Sequence, residues 1–450
     1  LVGSEMCIRD RGMGVKIKRS GENCKEEIDM DNHAYAYSVL EKLSFCRVAG
    51  TEDEKKAAQL LLAEIEAVGG SGEWMEFPIP ACTVTQEGMR IVSPYAREVE
   101  TIGYGRSGAL PEGGKTLKFY YAERGAAEDY VGMGDLSDTA VMVNSISFEA
   151  YRLLCEKHAA AFIVMRGLHY NTLKTADAYR KNLSDEKLQF GRIPGFMISA
   201  KVATEMVRDG VDRVHLTLVQ SEFEATSRNV LAVIPGTEYP EESIALTAHY
   251  DSVPVGKGAH DNASGAAALM HIYRHFLKNP PKRTLRFIWC GAEEGGLFGS
   301  QAYIERNKAL MPQIRLCFNF DMCGTTLGEN HISVTGGEAL KHFTEQFCRE
   351  VGRSSVVRVR VQSSDSAVFA DHGVPAIAIS RYADSADYHV HSDVLFPLGA
   401  EQLYRDAEFA VRYIARVANS IVLPLDTTIP EDMKKELDKY FDRDKTKSNG

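Results

Sequence analysis

The series of short apolar segments in the second half of this 450-residue chain limits its possible folds more than any other feature. After Asn229 these segments predict six strands, at residues 230–234, 243–248, 285–290, 314–320, 332–334 and 375–380. Helices are predicted between or after the strands, at residues 263–277, 301–310, 338–351 and 400–417. Near-continuous apolar strands flanked by helices are typical of a mostly parallel sheet that is covered on both faces. We therefore predict an α/β fold.

The first half of the chain is predicted to contain two helices and then a small α/β insert. Two amphipathic helices are expected between residues 34 and 69, with a break at Gly50 and Thr51. Residues 97–226 are then predicted to form a small α/β insert, with strands at 117–121, 139–143, 161–165 and 195–198 and helices at 147–158 and 200–208.

These patterns divide the chain into segments. The main domain is predicted to comprise residues 13–96 and 227–425, on either side of the insert at 97–226. Residues 1–12 have no helical or strand period and precede Met13, so we expect them to be a non-native leader. Residues 426–450 are a charged tail that we expect to be frayed.

Charge and hydrophobicity exclude two kinds of partner. The 52 basic and 62 acidic residues give a net charge of −10, and no cluster of Lys and Arg is long enough to follow a phosphate backbone. No uncharged apolar run approaches the roughly 18 residues of a membrane-spanning helix. We thus expect no nucleic-acid partner and no membrane insertion.

The nine cysteines show no paired spacing and no export signal is visible, so we expect a cytoplasmic protein with reduced thiols.

Ionisable side chains collect at the carboxyl ends of the predicted strands. His249 and Asp251 follow the strand at 243–248, Glu293 and Glu294 follow the strand at 285–290, and Asp321 follows the strand at 314–320. The loop after the strand at 375–380 carries Tyr388, His389 and His391, and Asp261 precedes the helix at 263–277. In open α/β sheets, ligands bind outside the carboxyl ends of the strands. We therefore expect these side chains to converge.

The chemistry of this set indicates metal ions. Taken singly, His249 could be a hydrogen-bonded histidine at a strand end, and Asp261 could cap its helix. Burying a carboxylate such as Asp321 directly after an apolar strand, however, costs free energy unless the carboxylate is paired or bound to a metal. Two histidines and three carboxylates suit a pair of divalent ions, most often zinc. Two ions about 3.5–4 Å apart share a bridging carboxylate and hold a water, for which an adjacent glutamate can act as general base.

Five segments of the sequence carry a family resemblance. TAHYDS, HDNASG, AEEGGLFGS, NFDMCG and DYHVHSD resemble the co-catalytic zinc exopeptidases that include bacterial leucyl aminopeptidases and glutamate carboxypeptidase. The resemblance covers residues 34–96 and 226–417. It implies that Asp261 bridges two Zn²⁺ ions, or other divalent ions such as Co²⁺ or Mn²⁺. His249 and Asp321 would complete one site, and Glu294 and His389 the other.

The same resemblance implies roles for the remaining side chains. Glu293 is implied to be the general base, Asp251 the carboxylate that orients His249, and Tyr388 the hydroxyl that stabilises the oxyanion. The family pattern of Tyr-His followed by Asp four places on selects His389, with His391 as the second candidate.

The insert at 97–226 resembles a protease-associated domain, which we expect to cover the catalytic cleft. Cys290 and Cys323 are expected to be core residues, and His260 is expected to support the site without binding metal.

The implied function is a metallo-exopeptidase acting on peptides, and an aminopeptidase in particular. A carboxypeptidase needs an arginine or lysine near the metals, and the catalytic segments contain only Lys257. Arg381, close to Tyr388 in sequence, keeps a carboxypeptidase function open. The same fold also occurs in single-zinc glutaminyl cyclases and in non-catalytic receptor-like proteins, and both functions stay open at the level of the sequence.

Overall fold

A mixed β-sheet extends through the protein and positions its candidate functional groups. The computed structural model describes residues 23–441 and 443, with side chains from residue 33 onward, and within these residues the sheet has 14 strands. The expected leader at residues 1–12 lies outside the described residues. In chain order the strands are β1 (Gly72–Ser93), β2 (Arg97–Val99), β3 (Ile102–Gly103), β4 (Lys115–Tyr121), β5 (Thr139–Val143), β6 (Ala161–Arg166), β7 (Gly195–Ser199), β8 (Arg213–Ile234), β9 (Tyr239–His249), β10 (Arg283–Cys290), β11 (Ile314–Phe320), β12 (Glu329–Thr335), β13 (Val356–Val359) and β14 (Ala376–Tyr382).

Helices cover both faces of the main part of the sheet. They are α1 (Asn23–Leu43), α2 (Glu52–Ala67), α3 (Phe148–Glu156), α4 (Asp185–Leu188), α5 (Ala200–Arg208), α6 (Gly265–Lys278), α7 (Phe298–Arg306), α8 (Glu338–Glu350), α9 (Asp365–Asp371), α10 (Ala400–Ala418) and α11 (Glu431–Tyr440). Residues of α1, α2, α6, α8 and α10 form the larger apolar core on one face, and residues of α7 and α9 form a second core on the other. No helix among the described residues has the length and apolar character needed to cross a bilayer.

The centre of the main sheet is parallel. The strands lie in the order β13-β12-β14-β11-β9-β10-β8, and the four neighbours β14, β11, β9 and β10 all run in the same direction. Only β12 and β8 are antiparallel to their inner neighbours. The carboxyl ends of four adjacent strands therefore meet at one edge, as the sequence predicts.

Two long antiparallel strands connect the main sheet to the insert. Strands β1 and β8, of 22 residues each, pair from Gly72 opposite Ala232 to Ser93 opposite Arg213. One end of β8 pairs with β10 and the other end with β4 of the insert. The sequence predicts only residues 230–234 of β8, and the predicted boundary at 226 and 227 falls inside it. The middle of this ribbon, residues 221–224, is exposed, so it lacks the apolar alternation from which a strand is recognised.

The charged C-terminal segment is folded where the sequence predicts a frayed tail. In α11, Met433 and Leu437 are buried against Ala370 and Ile429, and Arg443 forms an ion pair with Asp371 of α9. For residues 431–441 the prediction was wrong, because the buried face of α11 consists of two residues four positions apart, in a segment that is otherwise mostly charged. Residues 442 and 444–450 of the predicted tail lie outside the described residues.

One buried arginine ties the N-terminal helix to the loop that follows β9. The guanidinium of Arg47 is fully buried and donates to the carbonyls of Leu43, Phe45, Tyr250, Lys257 and Gly258 at 2.5 to 2.8 Å. Burial lowers the pKa of Arg47 to about 10, and the charges of Asp251, Asp393 and Asp261 oppose that effect. The side chain therefore remains a cation at neutral pH and fixes the backbone beside the site.

Replacing Arg47 should destabilise the fold. R47M leaves five buried carbonyl contacts without their donor, so we expect the free energy of unfolding to fall by about 3–5 kcal/mol. Urea unfolding followed by circular dichroism measures this loss. The exposed Arg416 is the control, because R416M should change the free energy of unfolding by less than about 0.5 kcal/mol. Equal losses in the two variants would contradict the structural role of Arg47.

Candidate metal centre

The candidate ligands meet because of where the parallel strands end. Strand β9 ends at His249, Asp321 follows β11 directly, and the turn carrying Glu294 follows β10. His389 lies in the loop after β14 and has a left-handed backbone conformation, with φ of 59°. Such a conformation is uncommon outside glycine and is characteristic of functional sites.

Asp261 reaches the same edge from a distorted turn before α6. Within the turn Ala259–Ser264, Asp261 has extended backbone angles, with φ −110° and ψ 94°. The side-chain amide of Asn262 donates to Phe320 O at 2.8 Å, and its oxygen accepts from the backbone N–H of Met322 at 3.1 Å. Gly265 is needed here, because a Cβ at this position would lie 2.3 Å from Phe320 O. The turn is thus clamped to the end of β11, beside Asp321.

The five side chains form two groups that share one carboxylate. Asp261 Oδ1 lies 3.2 Å from His249 Nε2, which is 3.5 Å from Asp321 Oδ1. Asp261 Oδ2 lies 3.1 Å from His389 Nε2, which is 2.9 Å from Glu294 Oε2. Within each group the ligand atoms lie within 4.8 Å of one another. Asp261 therefore presents one oxygen to each group, as expected of a carboxylate that bridges two ions.

The electrostatics of the two groups fit divalent cations. Asp261 and Asp321 are each only 7% exposed, and Asp321 Oδ1 has no hydrogen-bond partner among the described residues. Burial and the charge of Asp261 raise the pKa of Glu294 to about 7. Burial lowers the pKa of His389, but its bonds to Asp261 and Glu294 outweigh that and raise the value to about 10. A cation would satisfy the same carboxylates, and the nitrogen and oxygen donors suit zinc.

Asp251 holds the turn that carries both glutamates. Its carboxylate is fully buried and accepts the backbone N–H of Glu293 at 3.0 Å and that of Glu294 at 3.2 Å. Asp251 Oδ1 also lies 3.5 Å from His249 Nδ1, a buried nitrogen that has no hydrogen-bond partner among the described residues. The contacts with the turn were not predicted, because they are made to backbone groups that a sequence pattern does not identify.

Two more carboxylates support the centre, and the sequence analysis assigned neither a structural role. Asp393 accepts the backbone N–H of His260 at 2.7 Å and that of Asp261 at 3.1 Å, so it fixes the bridging residue. Asp365, fully buried at the start of α9, contributes with Glu294 to raising the pKa of Glu293, for which burial is the main cause. The only sequence signal for Asp393 was its position four residues after His389, and the sequence analysis found no signal for Asp365.

The two candidate histidines have different surroundings. His389 belongs to the second ligand group, whereas His391 is exposed and its Nδ1 lies 2.8 Å from Asp177 Oδ1 of the insert. Tyr179 of the insert meets the ring of His389 edge-on, with 6.5 Å between ring centroids. His260 is directed to Arg381 O, at 3.3 Å from its Nε2. The insert thus contacts the loop that carries His389.

A cavity of about 450 Å³ opens beside the two groups. Besides the ligands and Glu293, its lining consists of Gly296, Leu297, Met322, Gln362, Ser363, Tyr382, Tyr388 and Tyr440. Among the described residues, no arginine or lysine lines this cavity. Arg381 is directed away from it, since its guanidinium donates to Thr325 O at 2.7 Å and to Asn330 Oδ1 at 2.8 Å.

Comparisons with known proteins identify similar peptidases. The family model described as peptidase family M28 matches residues 229–413. Aminopeptidase YwaD of Bacillus subtilis (strain 168) is 24% identical over 423 residues, which cover 91% of this chain and 89% of that protein. Carboxypeptidase Q of Mus musculus is 25% identical over 385 residues, which cover 79% of each. The structure of BSAP, a zinc aminopeptidase from Bacillus subtilis, superposes with a TM-score of 0.72 at 22% identity, over 89% of this chain and 98% of that one. This superposition confirms the predicted α/β fold.

The metal content of variants should show whether the Asp261 carboxylate is shared by two ions. The wild-type protein should bind two divalent ions per chain, and D261N should lose both because Asp261 belongs to both ligand groups. D321N and H389A should each lose one ion. Elemental analysis after dialysis against zinc-free buffer measures this, and H391A is the control that should keep two. A D261N protein that retains a full ion would show that Asp261 does not bridge.

Proposed function

We propose that this chain, whose residues 229–413 match the model of peptidase family M28, is a di-zinc aminopeptidase that removes single residues from the N-terminus of peptides. The observation that carries this proposal is the lining of the catalytic cavity. Asp261, Glu293, Glu294 and Asp321 all face a cavity whose described lining contains no arginine or lysine. Such a lining provides no cationic side chain that could pair with the terminal carboxylate of a peptide, as a carboxypeptidase would require.

A carboxypeptidase is the second candidate function, because carboxypeptidase Q is among the relatives. The sequence supported it through Arg381, whose position near Tyr388 allowed a guanidinium beside the metals. In the structure that guanidinium lies in a different cavity, with Arg353 and Arg412. The arginine that a C-terminal carboxylate would require is therefore not supplied by Arg381.

Two complete ligand groups favour a two-ion enzyme over a single-zinc cyclase or a non-catalytic protein. A single-zinc cyclase would need only one of the groups, and a non-catalytic relative would be expected to have lost a ligand. Both groups contain three ligand side chains here, counting Asp261 in each. The protease-associated identity of the insert and the cytoplasmic location remain predictions.

The metal-binding side chains and the acid–base group have separate tasks in the proposed mechanism. His249, Asp261 and Asp321 would hold one zinc ion, and Asp261, Glu294 and His389 the other. When bound, such a pair of ions lowers the pKa of a water molecule and polarises the carbonyl of the substrate. Glu293 takes no part in either ligand group and lies in the cavity lining, where it can accept a proton from water and deliver it to the leaving amine.

Two further contacts prepare the cavity for this reaction. Asp251 fixes the backbone N–H of Glu293, so the general base is held in place by a buried carboxylate. The Tyr388 ring lines the cavity beside His389 and is 45% exposed, which leaves its hydroxyl accessible to a bound substrate. From this position the hydroxyl can donate a hydrogen bond to the oxygen that becomes negatively charged.

The two adjacent glutamates should respond differently to the same substitution. E293Q should retain two ions and lower kcat by about 10²- to 10⁴-fold, the usual contribution of a positioned acid–base group. E294Q should lose one ion, because Glu294 is a member of the second ligand group. Turnover of leucine 4-nitroanilide and elemental analysis measure the two effects. An E293Q protein without metal beside a fully loaded E294Q protein would reverse the assignment.

Blocking the substrate amine should abolish cleavage. An aminopeptidase acts on a free N-terminal amine, so we expect leucine to be released from Leu-Gly-Gly but no cleavage of acetyl-Leu-Gly-Gly. Mass spectrometry of the products identifies the residue that is released first. Rapid hydrolysis of the acetylated peptide from its C-terminus would overturn the aminopeptidase proposal and leave the metal centre unaffected.

A further inference from the structure

The C-terminal helix α11 forms part of the wall of the catalytic cavity. It begins 18 residues beyond the end of the family match at residue 413, yet Tyr440 in its last turn lines the cavity together with Ser363 and Gln362. The proposed mechanism assigns no task to these three residues. They lie in the same lining as Glu293 and His389.

Several contacts fix α11 in this position. Met433 and Leu437 are each 2% exposed and pack with Ala370 of α9. Beyond the helix, Arg443 donates to Asp438 Oδ1 at 2.9 Å and to Asp371 Oδ2 at 3.0 Å, which links the end of α11 to the end of α9. The helix is therefore attached to the main domain on both sides of Tyr440.

Tyr440 is held by both its hydroxyl and its ring. The hydroxyl oxygen lies 2.8 Å from Ser363 Oγ, and the ring packs against the second apolar core, which includes Leu297. Burial raises the pKa of Tyr440, and the nearby charges of Glu293 and Asp365 raise it further. The phenol therefore stays neutral and presents an uncharged aromatic surface near the proposed general base.

The polar and apolar parts of the cavity lining suit different parts of a substrate. The ligand groups and Glu293 suit the amine and the scissile carbonyl, which must lie at the metals. Leu297, Met322 and Tyr440 are uncharged and apolar, and all three line the same cavity. They are suited to the side chain of the N-terminal residue, since an apolar pocket discriminates by the size of the group that it encloses.

We propose that Tyr440 is a specificity-determining residue, whose ring closes the part of the cavity that takes the side chain of the N-terminal residue and limits the size of that side chain. This inference rests on the proposed aminopeptidase function. Tyr440 contributes size exclusion through its ring, and the bond between its hydroxyl and Ser363 keeps the ring in place. Bulky aromatic side chains such as that of tryptophan are excluded by the same ring.

Variants at position 440 test this role. The 4-nitroanilides of leucine, methionine, phenylalanine and tryptophan serve as substrates for the wild type, Y440F, Y440A and the control F441A, with kcat and KM measured separately. Phe441 is the matched control, because it packs on the same apolar core and is absent from the cavity lining. The melting temperature and zinc content of every variant are measured alongside.

We expect Y440A to raise the ratio of kcat/KM for tryptophan over leucine by about 10-fold or more, since a pocket gains or loses roughly this factor for small changes in size. Y440F keeps the ring and should retain the wild-type ratio. F441A should also retain it, whatever its melting temperature. Zinc content should stay at the wild-type value in all three variants.

Two results would overturn the inference. One is an unchanged ratio in Y440A, with all four substrates slowed by the same factor, as a purely structural role of Tyr440 would produce. The other is the same ratio change in F441A as in Y440A. A wild-type protein that cleaves none of the anilides would overturn the proposed function instead. In that case the melting temperature of wild type and Y440A would be measured with free leucine and with free tryptophan. The inference expects tryptophan to stabilise Y440A more than wild type, and equal increases in the two proteins would contradict it.

Discussion

The shared carboxylate of Asp261 is the interaction on which the site depends. Its two oxygens face two different imidazoles, His249 at 3.2 Å and His389 at 3.1 Å, so one residue links the two candidate ligand groups. Neighbouring contacts serve to hold it: Asp393 accepts its backbone N–H, and Asn262 clamps the turn to the end of β11. A bridging ligand must be fixed in this way, because a small displacement would separate it from one of the two groups.

Burial of several carboxylates at one sheet edge is costly unless each one is paired. The protein meets this requirement with backbone N–H groups where the carboxylates are structural, as for Asp251 and Asp393. Among the candidate ligands, Asp261 and Glu294 are paired with the imidazole of His389, whereas Asp321 Oδ1 has no hydrogen-bond partner among the described residues. Divalent cations are the natural partners of the second set, so metal binding and the stability of this edge are physically linked. Arg47 adds a fixed cation that donates to the carbonyls of Tyr250 and Gly258, in the loop after β9.

The sequence allowed most of the main sheet to be predicted, although not β13, and it indicated ionisable side chains at the strand ends. The choice of Glu294 and His389 among them came from the family resemblance. Buried parallel strands are apolar along their whole length, so a charged residue such as Asp321 directly after one of them is conspicuous. The β1–β8 ribbon alternates only at its ends, as at Val214, Leu216 and Leu218, and its exposed middle interrupts the pattern. Helix α11 has only two buried apolar residues in a mostly charged segment. The direction of Arg381 was equally inaccessible, since its neighbours in the sequence line the catalytic cavity while its own guanidinium turns to Asn330. Tyr440 could not be assigned to the cavity without the position of α11 on α9.

The catalytic cavity is assembled from distant parts of the chain around this common edge. The insert approaches through Asp177 and Tyr179, and α11 approaches from the C-terminus, so both elements can restrict access without supplying metal ligands. If two ions share Asp261, anomalous X-ray scattering from a crystal of the zinc-loaded protein, recorded at the zinc absorption edge, should show two peaks about 3.5–4 Å apart with the Asp261 carboxylate between them. A single peak, or two peaks of which only one contacts Asp261, would contradict this sharing.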